Sequence, residues 1–238
     1  MLSRTDNEDA GKLHDIYSRL LAFFGPRKWW PGETPWEVCV GAVLTQNTNW
    51  SNVEKAISNL KRVALLPSTE SEGLTLESAA ELAAYPPAEL AELIRPSGYF
   101  NIKAKRLASV AEWWGAEAAD IGRNSLDTVR ESLLAVNGVG PETADSILLY
   151  AFNMPTFVVD AYTKRIMARA WGTPLDIPYE ELRSFFMDNL PKDVQMYNEY
   201  HALFVELAKR FCLKKGCEAL GACPLAEICL DRSNTRGH

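Results

Sequence analysis

The sequence predicts an all-α fold. Apolar residues recur at helical spacing along most of the chain, Thr, Ser, Pro and Gly stand where helices should begin and end, and β-strand alternation is almost absent. Leu13, Ile16, Tyr17, Leu20, Leu21 and Phe24 mark one face of a first helix, which Gly25 and Pro26 stop. Thr34, followed by Pro35 and by Glu37 three residues on, reads as a capping box opening a helix over residues 38–44. Ser51 and Glu54 repeat that pattern ahead of Val53, Ala56, Ile57 and Leu60. After a Pro-, Ser- and Glu-rich connection, helices are expected over residues 75–84, 87–94 and 102–114, divided by Pro86 and by a turn at residues 96–98. Residues 156–159 are β-branched or aromatic, but the run is too short and isolated to found a sheet. Further helices are expected over residues 162–171, 179–189 and 197–211. The last carries Tyr197, Tyr200, His201, Phe204, Val205 and Ala208 on one side, where His201 reads as a satisfied core residue.

The 238 residues, 47% hydrophobic, suffice for one sizeable core or two small lobes sharing a cleft. No apolar run approaches the roughly 20 residues of a membrane helix. Residues 1–10 mix Arg4 with Asp6, Glu8 and Asp9 rather than presenting a secretory signal, so a cytoplasmic protein without a membrane partner is expected. The net charge of -6 weighs against a broadly basic nucleic-acid binder. The charge is segregated, however. Carboxylates gather at Glu70, Glu72, Glu77, Glu81, Glu89 and Glu92, while cations such as Lys103, Lys105, Arg106, Lys164, Arg165 and Lys209 lie in later segments, which permits one basic face.

Residues 133–144 place Gly138, Val139 and Gly140 between two amphipathic segments, with Pro141, Glu142 and Thr143 opening the second. Glycines allow positive φ and the close approach of a foreign backbone, and a helix start offers unpaired N–H groups to phosphate. The same turn suits an ordinary helix connection. Beyond it, Met154 and Pro155 lead through the apolar or β-branched residues 156–159 to Asp160, a residue type that commonly caps the next helix.

Taken together, these segments resemble the helix-hairpin-helix motif of the endonuclease III superfamily of DNA glycosylases. The likeness runs from Trp36 to Cys229 and includes the turn Gly98-Tyr99-Phe100-Asn101-Ile102-Lys103-Ala104. It implies double-stranded DNA as the partner, with a damaged base flipped out at a cost of about a few kcal/mol. It also makes Asp160 the catalytic aspartate, stabilising an oxocarbenium-like sugar and orienting or deprotonating water. Gly138, Val139, Gly140 and Thr143 become DNA contacts by the same resemblance. Lys103, Lys105 and Lys164 are candidates for a basic rim, although the first two also suit an ordinary surface.

Two features set the chain apart from endonuclease III itself. Bifunctional members carry a lysine two residues after the last hairpin glycine, where this chain has Glu142. A carboxylate forms no Schiff base, so a monofunctional enzyme using water is expected unless another amine such as Lys164 substitutes. Trp29, Trp30 and Pro31, with Gln46 and Asn47, resemble the base-pocket elements of the 3-methyladenine glycosylases in this superfamily. Indole rings attract a cationic methylated purine by about 0.5 to 2 kcal/mol. The tryptophans also suit packing between lobes, and the amides a buried helix end. An alkylated purine is therefore the expected substrate. The alternatives are a glycosylase and abasic-site lyase acting on oxidised pyrimidines or mismatches, and a non-catalytic binder of DNA lesions.

Cys212, Cys217, Cys223 and Cys229 are separated by four, five and five residues, which suits a [4Fe-4S] cluster or zinc better than buried free thiols in so basic a loop. The superfamily's C-terminal [4Fe-4S] motif matches the last gap but not the middle one, and the resemblance favours a structural cluster over zinc. Cys39 lies in an apolar helix and reads as core. The expected architecture is a monomer with a DNA groove between two lobes. Residues 35–154 would form a helical barrel holding the hairpin, and residues 1–34 with 155–238 the cluster lobe.

Overall fold

The computed structural model describes residues 7–27, 29, 32–67, 72–217 and 220–229. In chain order its helices are α1 (Asn7–Phe24), α2 (Pro35–Leu44), α3 (Trp50–Arg62), α4 (Glu72–Ala84), α5 (Pro87–Leu93) and α6 (Phe100–Glu117). They continue as α7 (Leu126–Leu134), α8 (Pro141–Ser146), α9 (Ala161–Trp171), α10 (Tyr179–Asn189) and α11 (Val194–Arg210). The fold is all-α as expected. Among the described residues the strands are β1 (Cys212–Leu213) and β2 (Gly216–Cys217), which pair antiparallel. Residues 153–160 belong to no helix or strand, and Asn153 has a left-handed φ of 52°. No helix of the described residues is long and apolar enough to cross a membrane.

Local chemistry accounts for most helix ends. The Thr34 hydroxyl accepts the Glu37 N–H at 3.1 Å, with Pro35 in the first turn of α2. The second start differs from the sequence expectation. Asn49, rather than Ser51, caps α3: its Oδ1 accepts the Asn52 N–H at 3.1 Å and the Ser51 hydroxyl at 2.7 Å, while Glu54 takes the Trp50 indole N–H. The amide oxygen of Asn49 reaches the free amide directly, so the helix begins earlier. Gly172 ends α9 at φ 81°.

The chain divides into two compact units, Trp30–Met154 and Met1–Trp29 with Pro155–His238. In Trp30–Met154, α2 is apolar apart from Glu37, and nearly every one of its residues is buried. It packs against α3, α6, α8 and a π-helical turn at Ile147–Ala151 that continues α8. Trp36 meets Trp114 at 5.1 Å between ring centroids, and Trp114 stacks on Phe152 at 5.3 Å. Large side chains buried in this way contribute about 1.5–3 kcal/mol each. The buried Asp145 carboxylate accepts two bonds from Arg130, at 2.9 and 3.0 Å, and so ties α8 to α7.

In the other unit, α1, α9, α10 and α11 surround an aromatic core. Phe157 stacks on Phe186 at 3.9 Å, and Tyr197, Tyr200 and Phe204 pack edge-on around them. The buried Tyr200 hydroxyl donates to the Leu13 carbonyl at 2.8 Å, joining segments that are far apart in sequence.

Candidate active site and hairpin

Within Trp30–Met154, α7 and α8 flank a turn in which Gly138 has φ 86°, Val139 is buried and Gly140 precedes α8 in extended backbone. Gln46, in the turn after α2, reaches this hairpin. Its Nε2 donates to the Gly138 carbonyl at 3.1 Å and to the Thr143 hydroxyl at 3.0 Å, and its Oε1 accepts from Arg106 of α6. A Cβ on Gly138 would overlap Cγ of Arg106 and lie 2.6 Å from its Cδ and Nε. Gln46 therefore braces the hairpin. Asn47 beside it is exposed, with a left-handed φ of 54°. Glu142 is exposed in the first turn of α8.

The two rim lysines of α6 part company. Lys105 is exposed, but Lys103 is 1% exposed and its Nζ donates to the carbonyls of Leu44 at 2.8 Å and Ser97 at 2.7 Å. Lys103 is therefore not a rim charge. It satisfies a carbonyl that the end of α2 leaves open, where the helix dipole favours a cation. Burial, with the nearby charge of Arg106, pushes its amine down to about 8.

In the second unit, Asp160 caps α9. Its Oδ1 accepts the Thr163 N–H at 2.7 Å and the Thr163 hydroxyl at 2.9 Å, while Oδ2 faces Nε2 of His201 in α11 at 3.5 Å. Burial pushes the carboxyl up, but His201 and Thr163 outweigh it and hold the group below the usual carboxylate value. The residue after Asp160 begins the lining of a cavity of about 1050 Å³. Tyr162, Arg165, Arg169, Lys209 and Lys214 also line it, and among the described residues no carboxylate does. The sequence sets these cations in its later, basic segments, but their convergence on one cavity depends on the packing. Lys164 is half-buried and its Nζ donates to the Ile177 carbonyl at 2.7 Å. Trp29 is half-buried, with the Lys209 ammonium 5.8 Å from its ring centre. Trp30 and Pro31 lie outside the described residues.

Three of the four cysteines lie against Arg169. Cys212 and Cys217 are cross-strand partners, and the Arg169 guanidinium lies 3.1 Å from Sγ of Cys212 and 4.0 Å from Sγ of Cys217. Cys229 Sγ is 3.5 Å from the Arg169 carbonyl. Burial pushes the Cys223 thiol up, with Cys217 and Cys212 adding to the effect. Among the described residues no group of three or more His, Cys, Asp or Glu stands ready-made as a metal site. The donor chemistry nonetheless fits a thiolate-bound group, since the thiols share one neighbourhood beside a guanidinium that offsets negative charge. Cys39 is fully buried in α2, and burial pushes its thiol up.

Helices joined by a Gly-Val-Gly hairpin, followed by an irregular connection ending at a capping aspartate, define a helix-hairpin-helix protein. The chain belongs to the HhH-GPD superfamily of base excision DNA repair proteins, whose model matches residues 40–192. It is 45% identical to a Methanocaldococcus jannaschii protein provisionally named a DNA repair glycosylase, over 92% of this chain and 96% of that one. It is also 30% identical to endonuclease III of Thermotoga maritima, over 82% and 79% of the two chains. Among solved structures it resembles the Helicobacter pylori 3-methyladenine DNA glycosylase bound to 1,N6-ethenoadenine. That likeness has a TM-score of 0.68 at 31% identity and covers 85% of this chain and 96% of the other. An endonuclease III–DNA complex, 20% identical with a TM-score of 0.72 over 96% of each chain, shares the fold.

Proposed function

We propose that this protein is a monofunctional glycosylase that binds double-stranded DNA and hydrolyses the N-glycosidic bond of a flipped, alkylated purine. The observation that carries the reading is Asp160, a carboxylate fixed at the start of α9 and held ionised by its neighbours. A fixed negative charge stabilises positive charge developing on the sugar as the base departs, and it can orient the attacking water. The cation-lined cavity that begins at Ala161 suits phosphate oxygens, which supports a DNA backbone running past Asp160.

Support for the alkylated purine comes from the likeness to the H. pylori enzyme and from the half-buried Trp29, whose ring already lies near a cation. Support for water as nucleophile comes from Glu142, where a lyase would need an amine, and from Lys164, whose ammonium the Ile177 carbonyl holds. The likeness to endonuclease III keeps oxidised pyrimidines as a second reading of substrate. Cys212, Cys217, Cys223 and Cys229 would hold a [4Fe-4S] cluster, which when bound supplies a structural tether for the basic loop carrying Lys214 and Lys215. Chromatography of bases released from randomly methylated duplex DNA tests the proposal: free 3-methyladenine supports it, and release from oxidised duplexes alone would move the substrate to pyrimidines.

A further inference from the structure

The two oxygens of Asp160 have different tasks. Capping α9 needs only Oδ1, which accepts both donors of Thr163. Asparagine would cap as well, so the cap alone does not account for a charged side chain. Oδ2 instead faces Nε2 of His201 across 3.5 Å. His201 is 5% exposed, on a helix face whose other members, Tyr197, Tyr200, Phe204 and Val205, are all buried. An imidazole costs more to bury there than leucine unless its polar atoms have work to do.

We infer that His201 is a positioning residue for base excision, its Nε2–H holding Oδ2 of Asp160 so that the carboxylate is fixed at both oxygens. The inference rests on the assignment of Asp160 to the chemistry. The torsion that turns a carboxylate about its own axis is soft, so a group bonded at one oxygen can swing. Bonded at both, it keeps one plane, and misplacement of a reacting group by about 1 Å can cost roughly a hundredfold in rate. The imidazole donates this bond from Nε2, and the carboxylate's remaining lone pairs stay available to the sugar. His201 transfers no proton in this role. The lowered pKa of Asp160, to which His201 contributes, accords with the arrangement.

Three substitutions of His201 test it beside Asp160→Asn. Glutamine keeps an N–H at about the reach of Nε2, asparagine is too short to place one there, and leucine keeps only apolar bulk. Each variant is compared with the native protein by melting, by binding to a duplex carrying a tetrahydrofuran abasic-site analogue, and by single-turnover release from randomly methylated duplex DNA. His201→Leu and His201→Asn should bind within about threefold of native yet release base at least about tenfold more slowly, and His201→Gln should recover most of the rate. Should leucine prevent folding, the asparagine and glutamine pair decides. Native rates in His201→Leu or His201→Asn with an inactive Asp160→Asn would overturn the role of His201 alone. Equal loss in His201→Gln and His201→Asn would also overturn it, since the donor would not matter. A native rate in Asp160→Asn would remove the catalytic reading itself.

Discussion

Gly138 and Arg106 pack so closely that the space a Cβ would take at Gly138 is filled by the Arg106 side chain. The same arginine bonds Gln46, and Gln46 bonds the Gly138 carbonyl, so the hairpin, α6 and the turn after α2 close on one another. Gly138→Ala meets two obstacles, a positive φ of 86° and displacement of Arg106 from Gln46. The substitution should destabilise the protein by about 1–3 kcal/mol in denaturant titration. A stability equal to the native would show that the turn relaxes freely.

Lys103 supplies a prediction with a pH dependence. Its amine is pushed down to about 8 by burial, with the charge of Arg106 adding to the effect, so the folded chain holds that proton less tightly than the unfolded one. The contribution is fully present above the unfolded value and is lost as pH falls through the folded one. The stability of the native protein relative to Lys103→Met should therefore rise between about pH 8 and about pH 10. At neutral pH the variant should lose about 1–3 kcal/mol, because the Leu44 and Ser97 carbonyls lose their donor. Stability curves that run parallel with pH would contradict the buried placement of the titrating amine.

Glu142 predicts the absence of a covalent intermediate. Borohydride added to the protein with abasic-site duplex should trap no protein–DNA adduct, whereas a lyase amine would be trapped. An adduct would mean that a lysine elsewhere in the chain attacks the sugar.

For the cysteines, protein purified without oxygen should be brown and hold about four iron atoms per chain. Stoichiometric zinc without iron would replace the cluster with a single tetrahedral ion.

Much of the fold could be read in advance because its signals are local. Thr34, Gly25 and the hairpin glycines act within a few residues of where they stand, and the apolar stripes of α1, α3 and α11 face the cores they imply. What escaped the sequence depends on packing across long separations. Gln46 lies 92 residues from Gly138, and Arg169 lies 43 from Cys212. His201 falls on a buried face as its helical spacing implies, but no spacing rule connects it with Asp160; its partner follows from how α11 packs against α9. Lys103 departs from the rim expectation because lysines are so seldom buried. Its position on one helical stripe with Leu107, Val110 and Trp114 was the available clue, and all three are buried beside it.

The central claim, that Asp160 is the catalytic carboxylate of a base-excision glycosylase, is tested most directly by exchanging it for asparagine. The amide oxygen of the new side chain can still accept from Thr163, so the cap and the fold should survive. Native protein incubated with randomly methylated duplex DNA should release free methylated purine, and Asp160→Asn should bind the same duplex while releasing base at least about a hundredfold more slowly. Undiminished release by a folded Asp160→Asn would contradict the account and reduce Asp160 to the cap of its helix.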